Sequence, residues 1–245
     1  MTPQILQTIA GDIAYHKTDG TGPTVVFCGG FMSDMTGTKA IALEEHCKAK
    51  GQAFVRFDYR GHGASSGVFK DHVISDWLQD TLAVLNDVAQ GDIVLIGSSM
   101  GGWIGAHAAL ALPDRVKSLI LIAPALDFTQ RMMEPAFTDA ERAALAKDGY
   151  ILQPTDYGDD PHIITRALLE DGKTLSLLHG PIDFHGRVRI LHGQRDTAVP
   201  WDLSLEIASA LATPDVEITF VKDSDHRFSE LQDLAHLLRC VDALS

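Results

Sequence analysis

Only three cysteines, Cys28, Cys47 and Cys240, occur in the 245-residue chain. An odd number without Cys-x-x-Cys spacing argues against a disulfide framework and a thiolate zinc site, so the three read as reduced core thiols of a reducing compartment. Basic residues are also in deficit: 20 Lys and Arg stand against 33 Asp and Glu, a net charge of −13 at pH 7. That balance repels phosphate backbones and anionic headgroups, which argues against nucleic-acid binding and electrostatic membrane docking. The longest apolar stretches are about ten residues, too short to span a bilayer. No basic, apolar leader precedes the first strand-like run near Ile5, so neither a secretory signal nor a transit peptide is expected, and a cytoplasmic protein is. Internal repeats, low-complexity tracts, a Gly-x-Gly-x-x-Gly or Walker loop and His/Cys zinc spacing are all missing, and no cofactor or metal is implied.

What is present fits one α/β domain with an insertion. Hydrophobic residues at 45% and charged ones at 22% exclude wholesale disorder, and a chain of this length buries a full core without staples. Ile5–Ile9 and Ile13–His16, around Ala10-Gly11-Asp12, predict an antiparallel hairpin. Short continuous apolar runs, Thr24–Cys28, Ala53–Phe57, Asp92–Gly97, Lys117–Ala123, Arg187–His192 and Val216–Val221, read as strands buried on both faces. Between them lie helix-like segments: Thr38–Lys50 closed by Gly51, Ser75–Gln90 closed by Gly91, Met100–Leu112, Trp201–Ala212, and a last helix from Ser229 with a Ser-Glu-Leu-Gln capping pattern. The alternation breaks between about Asp127 and His185, where helix-like pieces (Asp139–Lys147, His162–Asp171) occur without an obvious buried strand. The reading is a mostly parallel sheet with helices on both faces, residues 1–126 and 186–245, and a helical lid, residues 127–185, inserted after the sixth strand.

Gly97-Ser98-Ser99-Met100-Gly101 is a Gly-x-Ser-x-Gly between a predicted strand and a predicted helix, the context of a nucleophile elbow with Ser99 at its tip. Glycines are needed there because the chain reverses within a few residues and leaves no room for neighbouring side chains; Ser98 is the alternative nucleophile. A serine hydroxyl needs a base and an orienting acid, in chain order Ser, Asp or Glu, then His. Of eleven histidines, His226 lies between the last strand and last helix, and Asp196 lies on the loop after the preceding strand. Asp225, Asp202 and Asp223 are rival acids; Asp225 adjoins His226, and adjacent side chains diverge. An oxyanion needs two N–H donors, for which the sequence offers Met100, just after the nucleophile, and Phe31 beyond Gly29-Gly30. Asp58-Tyr59-Arg60-Gly61-His62-Gly63 reads as a structural turn, with Asp58 satisfying its amides. Met132, Met133 and Phe137 are the candidate acyl-pocket side chains of the insertion.

With these motifs the chain resembles the α/β hydrolases over its whole length. Gly29-Gly30-Phe31-Met32 through Gly37-Thr38-Lys39-Ala40, Arg56-Phe57-Asp58-Tyr59, Gly97–Trp103, Leu191–Trp201 and Ser224-Asp225-His226-Arg227 resemble a subgroup. It comprises mitochondrial enzymes acting as palmitoyl-protein thioesterase and acyl-glucuronide esterase, and the chain reads as a bacterial-type relative of it. The resemblance implies a serine acyl hydrolase with Ser99, Asp196 and His226 as triad. Its expected partner is a small acyl ester or thioester, or an acylated protein, with no nucleic acid and no integral membrane association. A cofactor-free perhydrolase or C–C bond hydrolase would use the same residues, and a non-catalytic receptor would keep only the fold.

Overall fold

The computed structural model describes residues 2–155 and 161–245. Ten strands run in chain order: β1 Gln4–Thr8, β2 Gly11–Thr18, β3 Thr21–Cys28, β4 Gln52–Phe57, β5 Ile93–Ser98, β6 Val116–Ile122, β7 Tyr150–Gln153, β8 His162–Thr165, β9 Arg187–Gly193 and β10 Val216–Val221. The helices are α1 Thr38–Lys50, α2 Ile74–Asp87, α3 Met100–Ala111, α4 Glu134–Ala136, α5 Asp139–Asp148, α6 Arg166–Thr174, α7 Leu203–Ala210 and α8 Leu231–Leu244. Eight strands form one sheet in the order β1-β2-β4-β3-β5-β6-β9-β10, and β7 pairs with β8 in a small sheet of its own. In the large sheet β1–β2 and β2–β4 are antiparallel and every other pairing is parallel.

The continuous apolar runs explain why the central strands are covered on both sides. Side chains alternate between faces along a strand, and here both sets are apolar. Val26, Leu95, Leu119 and Leu121 enter the core shared with α2 and α3, while Val25, Phe27, Val94, Ile96, Ile120 and Ile122 enter the one shared with α1 and α8. Each such side chain contributes about 1.5–3 kcal/mol of burial. α1 stops where expected, at Gly51, whose φ of 67° is left-handed and whose N–H donates to the Cys47 and Lys48 carbonyls. α2 ends at Asp87, short of Gly91, because Val88 and Ala89 both turn back to donate to the Val84 carbonyl.

Between β6 and β9 the chain departs from a purely helical reading. A π-type turn, Thr129–Met133, runs into α4 and α5. His162–Thr165, expected to open a helix, instead pairs antiparallel with Tyr150–Gln153. The β-branched Ile163-Ile164-Thr165 run favours the strand, and Thr165 then caps α6 by accepting from Leu168 N–H at 3.0 Å. Asp127 closes the base of this stretch: its carboxylate accepts from Leu177 N–H (2.8 Å), Leu178 N–H (2.9 Å) and the Ser176 hydroxyl (2.7 Å). α8 also starts two residues later than expected. Glu230 occupies its N-cap, and the carboxylate that accepts the Glu230 N–H is Asp233 at 3.1 Å, not a Ser229 capping box.

Candidate active site

Ser99 stands between β5 and α3 with φ 55° and ψ −118°, a conformation that a non-glycine residue adopts only under strain. The flanking glycines permit it. A Cβ on Gly97 would fall on the Gly101 carbonyl, and one on Gly101 would fall on the Cys28 and Gly29 carbonyls at the end of β3. The turn is locked by Ser99 N–H donating to the Ile122 carbonyl (2.9 Å), while the Ser99 carbonyl accepts from Gly102 (2.9 Å) and Ala125 (3.1 Å).

Three sequence-nominated side chains converge here. His226 Nε2 lies 3.1 Å from Ser99 Oγ, and His226 Nδ1 lies 2.7 Å from Asp196 Oδ2. The loops that carry them touch because of Gly193: a Cβ at that position would overlap the Ser224 carbonyl, two residues before His226. The Asp196 side chain is fully buried. Burial alone would raise its pKa, but hydrogen bonds from His192 and His226 and from backbone amides hold it well below the usual carboxylate range. The rival acids are engaged elsewhere: Asp225 accepts its own loop's Arg227 N–H at 2.9 Å, and Asp223 pairs with Arg195 at 2.8 Å. Asp202 sits at the N-cap of α7. Ser98, the alternative nucleophile, is the last residue of β5 and 6% exposed, one residue short of the tip.

The two nominated oxyanion donors flank Ser99. Met100 is the first residue of α3, where helix amides have no partner within the helix. Gly30 brings the neighbouring loop close enough that a Cβ there would sit 3.5 Å from Ser99 Cβ, and Phe31 follows it. The Phe31 ring anchors that loop through edge-on contacts with Phe69 (5.0 Å), Phe128 (5.8 Å) and His162 (5.4 Å).

A cleft of about 520 Å³ opens over Ser99 and His226, within the usual size of a small-molecule site. Its lining includes the apolar side chains Phe31, Phe128, Met132, Met133, Ala136 and Val199. Ser33, Asp34, Thr38, Lys39, Arg227 and Ser229 add polar groups. Met132 and Met133 therefore lie where the sequence nominated them, but Phe137 does not. It is buried with Leu145, Ile151, Ile164 and Leu169 in a small core of the insertion, against which Met133 also packs. Lys39 donates to the Arg227 carbonyl, and burial, only partly offset by Asp225 and Asp233, pushes its pKa down to about 8. Gln153 and His162, paired opposite each other at one end of the β7–β8 pair, also line the cleft; the helical reading of His162 concealed this.

The Asp58 loop is structural, as expected. Its carboxylate accepts from Met35 N–H (2.6 Å) and Ala64 N–H (2.8 Å), and a Cβ on Gly63 would overlap it. His62 lies off the cleft, boxed by Tyr59, Phe69 and Trp77. The sequence reading missed His192 and Ser204. His192 Nε2 reaches Asp196 Oδ2 at 3.0 Å, and its Nδ1 reaches Ser204 Oγ at 2.7 Å. The available signal was its place four residues before Asp196 in the same loop motif.

An elbow serine, a histidine and a buried carboxylate at the C-terminal edge of a parallel sheet define the α/β-hydrolase class. Comparisons with known proteins agree: residues 21–171 match the family model described as serine aminopeptidase, S33. The chain belongs to this α/β-hydrolase family and is an enzyme of its acyl-hydrolase kind. It is 40% identical over 232 residues to the mitochondrial palmitoyl-protein thioesterase ABHD10 of Mus musculus, covering 94% of this chain and 77% of that protein. To its Homo sapiens counterpart it is 36% identical, covering 95% and 76%. Among solved structures it is similar to a putative hydrolase from Agrobacterium vitis S4, with TM-score 0.93 and 39% identity over 100% of this chain and 97% of that one. It is likewise similar to the mouse α/β hydrolase domain-containing protein 10, with TM-score 0.91 and 36% identity over 100% and 98%. Among the described residues no helix is long and apolar enough to cross a membrane.

Proposed function

We propose that the protein hydrolyses carboxylic esters or thioesters of an apolar acyl group through an acyl-enzyme on Ser99. The observation that carries this reading is the hydrogen-bonded series Ser99–His226–Asp196 (3.1 and 2.7 Å), whose Ser99 and His226 line a cleft rich in apolar side chains. His226 Nε2 takes the Ser99 proton as Oγ attacks the acyl carbonyl, and Asp196 holds the ring and stabilises the imidazolium. The Met100 and Phe31 amides receive the oxyanion. The intermediate collapses, His226 returns the proton to the departing alkoxide or thiolate, and water, deprotonated by the same ring, releases the acid. Residues 127–185 act as a lid whose Met132 and Met133 face the acyl chain. The palmitoyl-protein thioesterase name of the relatives supports a thioester of a long acyl group as one substrate class, with a protein or a small thiol as leaving group.

The test is fluorophosphonate labelling followed by peptide mass spectrometry, with hydrolysis assayed on esters and thioesters of graded chain length. A single adduct on Ser99 is expected, with turnover of Ser99→Ala reduced on the order of 10⁴-fold. An adduct on Ser98, or hydrolysis undiminished in Ser99→Ala, overturns the reading.

A further inference from the structure

The Asp196 carboxylate is shared by two imidazoles. Its Oδ2 faces His226 Nδ1 at 2.7 Å and His192 Nε2 at 3.0 Å, while Oδ1 accepts the Ala198 and Val199 N–H groups, both at 2.8 Å. A carboxylate has about four lone-pair sites, and here each one is occupied. The side chains of Asp196 and His192 are both without solvent exposure, so no water replaces a lost partner cheaply. Because a carboxylate only accepts, His192 Nε2–H donates. The neutral ring then presents Nδ1 as an acceptor to Ser204, a wholly buried residue of α7 whose hydroxyl lies 2.7 Å away.

We propose that His192, held in this tautomer by Ser204, is a positioning residue for the hydrolysis: it fixes the Asp196 carboxylate and divides its charge with His226. The inference rests on the triad reading above. Two consequences follow from removing the His192 N–H. Asp196 is left with an unfilled acceptor site and loses its fixed orientation, so the His226 ring is aimed less well. Its charge also falls on His226 alone, which stabilises the imidazolium and delays the release of its proton to higher pH. The other charges around this loop include Lys39 on α1, Asp225 and Arg227 on the His226 loop, Asp233 of α8, which accepts the Ser224 hydroxyl, and the Arg195–Asp223 ion pair; each is unchanged in the variants and cancels from the comparison.

The experiment measures kcat, KM and the pH profile of kcat/KM on p-nitrophenyl acetate for the full chain. Active sites are counted by fluorophosphonate titration, so that a partly unfolded variant does not pass for a slow one. His192→Phe is expected to lower kcat per titrated site ~10–100-fold with KM within ~3-fold, and to move the half-rise of the profile up by ~0.5 pH unit. His192→Gln, whose amide N–H reaches the position of Nε2, recovers most of the loss. Ser204→Ala shows a several-fold loss in the same direction, and it decides on the same readouts if His192→Phe does not fold. Wild-type turnover per site and an unmoved half-rise in both His192→Phe and Ser204→Ala overturn the inference alone, provided Ser99→Ala is inactive. If Ser99→Ala still hydrolyses the ester, the triad reading falls first and takes this inference with it.

Discussion

Cys28 and Ser99 stand at the ends of neighbouring parallel strands: Cys28 ends β3 opposite Gly97 of β5, and Ser99 follows β5 just beyond Ser98. Only the serine is set up to react. Burial pushes the Cys28 thiol up to about 12, and burial does the same to Cys47, so neither carries thiolate near neutral pH. Treatment of the native protein with N-ethylmaleimide at pH 8 is therefore expected to leave hydrolysis intact, while a fluorophosphonate abolishes it. Maleimide inactivation matched by an adduct on Cys28 would contradict this. The same residue-level logic sets the pH response. Asp196 is held ionised well below the ordinary carboxylate range, so acidification does not remove the acid before it protonates the base. Hydrolysis should therefore rise with pH in a single step, with no second limb from the carboxylate on the acid side. Asp196→Asn should cost on the order of 10³–10⁴ in kcat, whereas Asp225→Asn and Asp202→Asn stay near wild type. The opposite ranking in a kcat series would identify another acid.

At the scale of elements, the insertion contributes to two packings, the cleft lining and a small core, with Met133 at the border between them. Met133 lines the cleft, while Phe137 sits 7% exposed in the small core with Leu145, Ile151, Ile164 and Leu169. Met133→Ala should lengthen the acyl chain giving the best kcat/KM by one or more carbons, because each buried methylene is worth about 0.8 kcal/mol and the pocket gains room. Phe137→Ala should instead cost about 3 kcal/mol through a cavity in that core, read by urea denaturation, and leave the chain-length optimum where it was. A moved optimum in Phe137→Ala, or an unmoved one in Met133→Ala, reverses the assignment. The contrast also shows what the sequence made legible. Elements buried on both faces were readable because their apolar runs are continuous and bounded by glycine, and the elbow because Gly97 and Gly101 are a steric necessity. Asp196 and His226 followed from chain order and loop position. The β7–β8 pair was not readable: four-residue strands with an exposed face, such as Tyr150-Ile151-Leu152-Gln153, carry too few residues to separate a period of 2.0 from one of 3.6. Phe137 and Met133 look alike in sequence, since both are apolar on short helical turns, and only their packing separates them. His192 escaped notice because a buried histidine in a strand reads as core until its two ring nitrogens have named partners.

Across the whole molecule, the aromatic cluster beneath the oxyanion loop ties stability to pH. Phe31 meets Phe69 and Trp77, and those rings enclose His62 together with Tyr59. His62 is 5% exposed, and its Nε2 has no hydrogen-bond partner among the described residues. Burial pushes its pKa down to about 4 from an ordinary 6.5. The folded pKa thus lies below the unfolded one. Above about pH 6.5 the ring is neutral in both states and costs nothing. Between 6.5 and 4 the unfolded chain takes up a proton that the folded chain refuses, and stability falls, by on the order of 3 kcal/mol at pH 4 from this residue. Burial also lowers the pKa of His107 and His162, and both act in the same direction. Because the box is aromatic on three sides, His62→Phe should fit it and keep most of the neutral-pH stability, while removing its own part of the acid-induced loss. Urea midpoints at pH 7.5, 5.5 and 4.5 measure this directly: the wild-type series should fall more steeply with acid than the variant series, with the gap opening below pH 6.5. Two parallel series would mean that His62 is already solvated or hydrogen-bonded in the folded protein. The acid sensitivity would then belong to the other groups with lowered pKa values, His16, His107 and His162 below pH 6.5 and Asp196 at the acid end, and their variants would have to flatten the curve instead.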